Sequence, residues 1–276
     1  MLLEFLENLF TPCPRFARVM GYLREVVGIG TRYRRCKNDW RPHLERSRDV
    51  IRQAVARCST RRKVVVLGSG RLYDVPVEEL SAQFERVALV DLIHPLPARW
   101  RCRRFANVEF ATADIMGVLE PLQNVAYSGS VLPVSRPTTF AEDDEVDLVI
   151  SLNILSQLPI IPCRYLRRWN QFNEDAIERF GRKLMQAHVD YLQSFRAAVC
   201  LIADVAFLTV DADEQVIKEE DALRGISLRW PGEEWIWRLA PRGKRGKTGS
   251  YHRVRGMISA KPRSELSIPL SADTRS

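Results

Sequence analysis

Apolar residues fall into two rhythms along this chain. Short unbroken runs, KVVVL at 63–67, RVALVD at 86–91, EVDLVISLN at 145–153 and AAVCLIADV at 197–205, read as strands buried on both faces. ANVEFATAD at 106–114 alternates apolar with polar residues and reads as a further strand. The second rhythm is helical. Trp40, Leu44, Ser47, Ile51, Val55 and Cys58 recur at steps of four and three, with Asn38 or Asp39 placed to cap a helix and Pro42 in its first turn. VPVEELSAQF at 75–84 predicts a helix, as does NEDAIERFGRKLMQAHVDYLQSF at 173–195, whose stripe Ile177, Phe180, Leu184, His188, Tyr191/Leu192 and Phe195 places His188 on a core face.

Strands and helices in alternation imply a doubly wound α/β protein with a mostly parallel sheet. The tail end changes character. ISLRW, EEWIWRLAP and SYHRVRGMISA are three β-like runs with no helix between them, an antiparallel hairpin closing the sheet edge. Residues 1–60 form an N-terminal helical extension, broken by Pro12, Pro14 and the Gly28/Gly30 pair, that serves as a lid. Residues 61–262 form the α/β domain and 263–276 a frayed tail. Two regions fit less well: 117–145, a short helix and an irregular loop, and PIIPCRYLRRWNQF, where Pro159 and Pro162 predict an extended entry to a basic, aromatic turn.

Composition narrows the partners. The chain has 276 residues, 46% hydrophobic and 28% charged, as in ordinary globular proteins. A net charge of +8, mostly arginine at 32–62 and 99–104, is compatible with an anionic partner, nucleic acid included, although such helices are often solvated faces. Six scattered cysteines without a C-x-x-C pair argue against a metal site and for reduced thiols in a cytoplasmic protein. No apolar stretch reaches the roughly 20 residues a membrane span needs. The opening MLLEFLENLF carries Glu4 and Glu7 and no basic leader, and reads as an amphipathic helix rather than a signal peptide.

The chemistry centres on KVVVLGSGRLYDVP. In a doubly wound sheet, ligands lie beyond the carboxyl ends of the strands where strand order reverses, and glycine lets the backbone approach them closely. A P-loop is excluded, because no G-K-[ST] follows. A dinucleotide site is disfavoured, because Tyr73 stands where the third glycine belongs and Asp74 would face a diphosphate. Asp91 closes the second strand, 23 positions after Gly68, where a ribose-binding carboxylate belongs. Asp114 closes the third, and Ser151 and Asn153 the fourth. The set suits a ribose diol, an adenine amine and a zwitterionic amino acid.

In that order VVVLGSG, VALVD, VEFATAD and VDLVISLNILSQLP resemble motifs one to four of the class I methyltransferases that use S-adenosylmethionine. The resemblance spans Lys63 to Asp204, and within the superfamily GSGRLYDVP with SLNILSQLP is similar to a stand-alone bacterial-type group without a well-defined substrate. It implies a seven-stranded sheet with an antiparallel edge and S-adenosylmethionine as cofactor. Gly68, Ser69 and Gly70 would contact the methionine and ribose portions, Asp91 with Leu92 the ribose, Asp114 with Ile115 the adenine, and Ser151 with Asn153 the methionine end. Two features depart from the pattern. Val66 stands where an acid usually precedes the glycines, and Leu72 replaces the third glycine. Asp74, Asn153 or the helix around His43 is expected to compensate. The implied reaction is in-line methyl transfer to a small-molecule acceptor, with Asn153 and Gln157 orienting it. Two alternatives stay open: a methyltransferase-like scaffold without activity, and an RNA methyltransferase.

Overall fold

A computed structural model describes residues 7–240 and 248–259. The central sheet has eight strands: β1 (Lys63–Leu67), β2 (Arg86–Asp91), β3 (Val108–Thr112), β4 (Val146–Leu152), β5 (Ala198–Val210), β6 (Val216–Asp221), β7 (Gly232–Ala240) and β8 (Gly249–Ile258). Their order is β3-β2-β1-β4-β5-β8-β7, with β6 paired to β5 off that path. β1 through β5 pair in parallel, and β6, β7 and β8 are antiparallel to their neighbours. The doubly wound sheet with a reversed edge is therefore present, and the order reverses between β1 and β4.

The strand beyond the expected seven comes from β5. It runs 13 residues, and its second half alternates buried Ala206, Leu208 and Val210 with half-buried positions. That half outlasts β4, so β6 folds back beside it through the turn at 211–215. ISLRW is not a strand. Asp221 instead accepts hydrogen bonds from the Leu223 N–H (2.8 Å) and Gly225 N–H (2.6 Å), which curls the chain before β7.

Alternate residues of the parallel strands feed two cores. Val65, Leu67, Val149 and Leu201 face α5 (Leu119–Ser128), α6 (Ile160–Trp169) and α7 (Glu174–Ser194). Val64, Val66, Leu148, Ile150 and Ile202 face α3 (Val77–Gln83) and α4 (Leu96–Cys102). The proline-flanked segment is helical over Ile160–Trp169 rather than extended. Pro159 sits at the N-cap of α6 and Pro162 in its first turn, where the missing N–H has no partner to lose.

The N-terminal region holds α1 (Arg15–Met20) and α2 (Tyr22–Ala56). Gly28 and Gly30 do not break α2, which runs through both and past Pro42. The interruption is at Cys36 (φ −113°, ψ 24°), two residues before the expected Asn38 cap. Leu23 and Val27 pack in the first core, whereas Trp40, Leu44, Ile51 and Val55 pack in the second. The helix thus crosses the sheet's carboxyl edge from one face to the other, bending where it crosses. The expected frayed tail at 263–276 lies outside the described residues.

Candidate functional site at the carboxyl edge

The turn after β1 takes left-handed backbone at every second position: Gly68 (φ 79°), Gly70 (φ 46°) and Leu72 (φ 59°). Leu72 therefore keeps the conformation of the glycine it replaces, anchored by a fully buried side chain. Gly68 is required sterically as well, because a Cβ there would lie 2.2 Å from Ile154 Cγ2 and 3.0 Å from the Leu152 carbonyl. At Gly70 the nearest atoms to such a Cβ stand 3.8 Å away, which leaves room above the turn. Both glycines stay partly exposed.

Asp91 reaches into this turn from the end of β2. Its Oδ2 accepts from the Gly70 N–H at 2.8 Å and its Oδ1 from the Leu92 N–H at 2.7 Å. Burial raises its pKa, against the pull of those bonds and of His94. Asp114 accepts from the Met116 N–H (3.0 Å), the Val118 N–H (2.8 Å) and the Leu119 N–H (2.7 Å), and so also tethers the start of α5. Leu92 and Ile115 are buried beside the two acids. Tyr22 of α2 lies within the electrostatic reach of both acids. Its hydroxyl is buried without a hydrogen-bond partner, and burial followed by the Asp114 charge pushes its pKa well up. The hydroxyl of the buried Ser69 also has no partner.

Helix α2 and the residues before α1 cover the turn. Arg71 donates to Glu7 at 2.5 Å in a buried ion pair, and its guanidinium occupies the space that a Gly30 side chain would need. Tyr33 stacks on Tyr73 at 3.8 Å.

The polar end of β4 is more elaborate than the sequence suggested. Asn153, left-handed at φ 53°, approaches Asp74 Oδ2 at 2.8 Å and His43 Nε2 at 3.3 Å through its Nδ2. The three residues expected to offset Val66 thus meet in one cluster, on the sheet face where Val66 itself is buried. Trp235 Nε1–H donates to His43 Nδ1 at 3.1 Å, and Trp237 stacks on His43 at 4.1 Å. Burial lowers the His43 pKa to about 3 and raises that of Asp74.

Ser151 and Gln157 are placed away from this cluster. Ser151 is fully buried with its hydroxyl 2.9 Å from His188 Nε2, and Gln157 is exposed. Burial alone lowers the His188 pKa to about 4, so it is a neutral core histidine. Next to Gln157, Ser156 donates to Asp204 Oδ2 at 2.7 Å, and Asp204 Oδ1 stands 3.1 Å from His252 Nδ1. The Asp204–His252 pair was not singled out from the sequence. The only signal was Asp204 inside an otherwise apolar strand. Among the described residues no three His, Cys, Asp or Glu side chains converge on a metal position, and no helix is long and apolar enough to cross a membrane.

No family model and no curated protein matches the chain. Solved structures do. One is the 1,6-didemethyltoxoflavin-N1-methyltransferase of Burkholderia thailandensis with 1,6-didemethyltoxoflavin and S-adenosylhomocysteine, 13% identical over 89% of this chain and 92% of that one, at a TM-score of 0.40. Another is the N-methyltransferase NodS of Bradyrhizobium japonicum with S-adenosylhomocysteine, 12% identical over 76% and 85%, at 0.33. A third is the 23S rRNA methyltransferase ErmE, 9% identical over 80% and 70%, at 0.34. Likeness this loose assigns no chemistry. The strand order, reversing between β1 and β4 and ending in an antiparallel edge, is that of a doubly wound α/β sheet with an antiparallel edge.

Proposed function

We propose that the chain binds S-adenosylmethionine on the turn at 68–72 and transfers its methyl group to a small-molecule acceptor near Asn153. The observation that carries this reading is the left-handed turn with the Asp91 carboxylate held against Gly70, beside a partnerless Tyr22 hydroxyl that feels the charges of Asp91 and Asp114. A carboxylate has about four lone-pair sites. Asp91 therefore retains capacity for a ribose diol after its backbone bonds, and Asp114 for an amine. The partnerless Tyr22 and Ser69 hydroxyls match a ligand rich in polar groups, since buried polar atoms are normally paired.

Bound there, the cofactor supplies a methyl group on a sulfonium, which leaves as a neutral thioether. What remains for the protein is alignment and exclusion of water. Helix α2 supplies the second by closing over the turn as a lid. Asn153 and the aromatic wall of Trp235 and Trp237 hold the acceptor. His252, whose Nδ1 lies 3.1 Å from Asp204 Oδ1 and whose ring is flanked by Phe207 and Trp237, takes the acceptor's proton. The exposed Gln157 is not needed in this arrangement.

The basic segment at 99–104 favours a small molecule over RNA. Glu78 pairs with two of the segment's four arginines, Arg101 and Arg104, which reduces the charge offered to a phosphate backbone, while Arg99 and Arg103 lie over Phe110 and Trp100. Calorimetry with S-adenosylhomocysteine tests the reading. Micromolar binding is expected, weakened at least about tenfold in Asp91→Ala through loss of a charge-assisted hydrogen bond. Absence of heat at millimolar ligand overturns it.

A further inference from the structure

The cluster at the end of β4 contains a hydrogen-bond conflict whose resolution specifies what a ligand there presents. Trp235 can only donate. His43 Nδ1, 3.1 Å from the indole nitrogen, therefore accepts and carries no proton. A neutral imidazole then has its proton on Nε2. That N–H points at the Asn153 amide atom 3.3 Å away, which is also 2.8 Å from Asp74 Oδ2. With nitrogen in that position, two donors oppose each other at His43. With oxygen there, His43 is satisfied, and two oxygens 2.8 Å apart require a hydrogen between them, which only Asp74 can supply. Which amide atom is which is an assignment that the hydrogen-bond network decides.

We propose that His43 fixes Asn153 with its carbonyl toward His43 and Asp74, that Asp74 carries the bridging proton, and that the Asn153 NH2 is thereby presented to a ligand atom that accepts hydrogen bonds. The second amide atom supports this directly. It is buried with no partner, on a residue only 7% exposed. As an NH2 it demands an acceptor such as a carboxylate, a carbonyl oxygen or an unprotonated ring nitrogen, and it rejects an amine. The inference rests on the methyl-transfer reading only for the ligand's identity.

The charged and titratable groups around the cluster are consistent with it. Arg48 of α2 favours an ionised Asp74, but its guanidinium is engaged by the Tyr73 carbonyl, and burial is the larger influence on the carboxyl. Asp204 and His252, on β5 and β8, act on His43 in opposite directions, and burial outweighs both. His43 and Asp74 are positioning residues here, and Asn153 alone faces the ligand.

Nuclear magnetic resonance on the free, full-length protein tests the arrangement. With nitrogen-15 histidine and carbon-13 aspartate, His43 is expected as the Nε2–H tautomer and the Asp74 carboxyl as protonated near neutral pH. An Nδ1–H tautomer, or an ionised Asp74, overturns the proposal. In Trp235→Phe the constraint on Nδ1 is gone, so Asp74 is expected to titrate at least about one pH unit lower. An unchanged midpoint also overturns it. Asp74→Asn and Asp74→Ala are both expected to keep the His43 tautomer, because Trp235 sets it. Adding S-adenosylhomocysteine then identifies the source of the acceptor. A downfield shift of the Asn153 NH2 assigns the site to the cofactor's own carboxylate, and binding without that shift assigns it to the methyl acceptor. Failure to bind the nucleoside with the tautomer intact sinks the methyl-transfer reading and leaves this one standing.

Discussion

Adding one methyl group to each glycine of the turn separates backbone strain from collision. Gly68 and Gly70 both lie in the left-handed region, where alanine costs about 1 kcal/mol relative to glycine. Gly70→Ala adds nothing further, since its Cβ meets nothing closer than 3.8 Å. Gly68→Ala places a Cβ 2.2 Å from Ile154 Cγ2 and 3.0 Å from a main-chain oxygen. The Cγ2 of a β-branched residue sits one bond from the Cβ and cannot swing far aside, and forced overpacking of this kind costs about 1–3 kcal/mol. The expected losses are therefore about 1 kcal/mol for Gly70→Ala and about 2–4 kcal/mol for Gly68→Ala.

Urea unfolding followed by tryptophan fluorescence reads both. Ile154→Ala removes the colliding atom, so the double variant Gly68→Ala/Ile154→Ala should be more stable than additivity predicts by about 1–2 kcal/mol. Because Ile154 adjoins Asn153, Gly68→Ala should also weaken S-adenosylhomocysteine more than its stability loss explains. Equal losses for the two glycine variants, or strict additivity in the double variant, would refute the packing argument.

Two further outcomes follow from buried ionisable groups. His43 and His188 have pKa values lowered from 6.5 to about 3 and about 4. The unfolded chain therefore binds more protons below pH 6.5, and stability should fall with decreasing pH by about 1.4 kcal/mol per unit for each histidine, down to about pH 4. His188→Gln should remove about 1.4 kcal/mol per pH unit from the slope of unfolding curves taken between about pH 6 and 4.5, and an unaltered slope contradicts the assignment. Glu7→Gln leaves the Arg71 guanidinium buried beside a neutral amide, and breaking a buried pair costs about 3–5 kcal/mol. The loss should appear as faster hydrogen exchange in α1 and the first half of α2, with the sheet unaffected. Uniform loss of protection would mean that the extension folds as one unit with the sheet.

The parallel strands were legible because burial on both faces leaves a continuous apolar run, as in KVVVL and VDLVISL. Asp91 stands out as the first polar residue after such a run, and Asp114 as the acid two residues beyond the alternating strand β3. Errors arose where a local rule had two outcomes. Pro159 and Pro162 suit an extended chain as well as the first turn of a helix, and the buried Tyr165 and Leu166 decide for the helix. Gly28 and Gly30 read as breakers, yet α2 runs through both, and Arg71 packs where a Gly30 side chain would lie. β6 was missed because all six of its residues are exposed, so no burial pattern marks it. Ser151 fits the apolar pattern of its strand and was read as polar lining only because it is a serine.

What no periodicity could reveal is the clustering of His43, Asp74, Asn153, Asp204 and His252, which come from five separate places in the chain. They converge because α2 crosses the carboxyl edge and because β8 returns antiparallel beside β5, placing His252 opposite Phe207 and within reach of Asp204. Leu72 tolerates a left-handed backbone because its side chain is fully buried and offsets the strain. Val66 is buried in the second core, and on that face His43 of α2, Asp74 from the turn after β1 and Asn153 after β4 meet. A carboxylate at position 66 would be buried within the second core and need a partner of its own, whereas Asp74 reaches the same face with its partner supplied by Asn153.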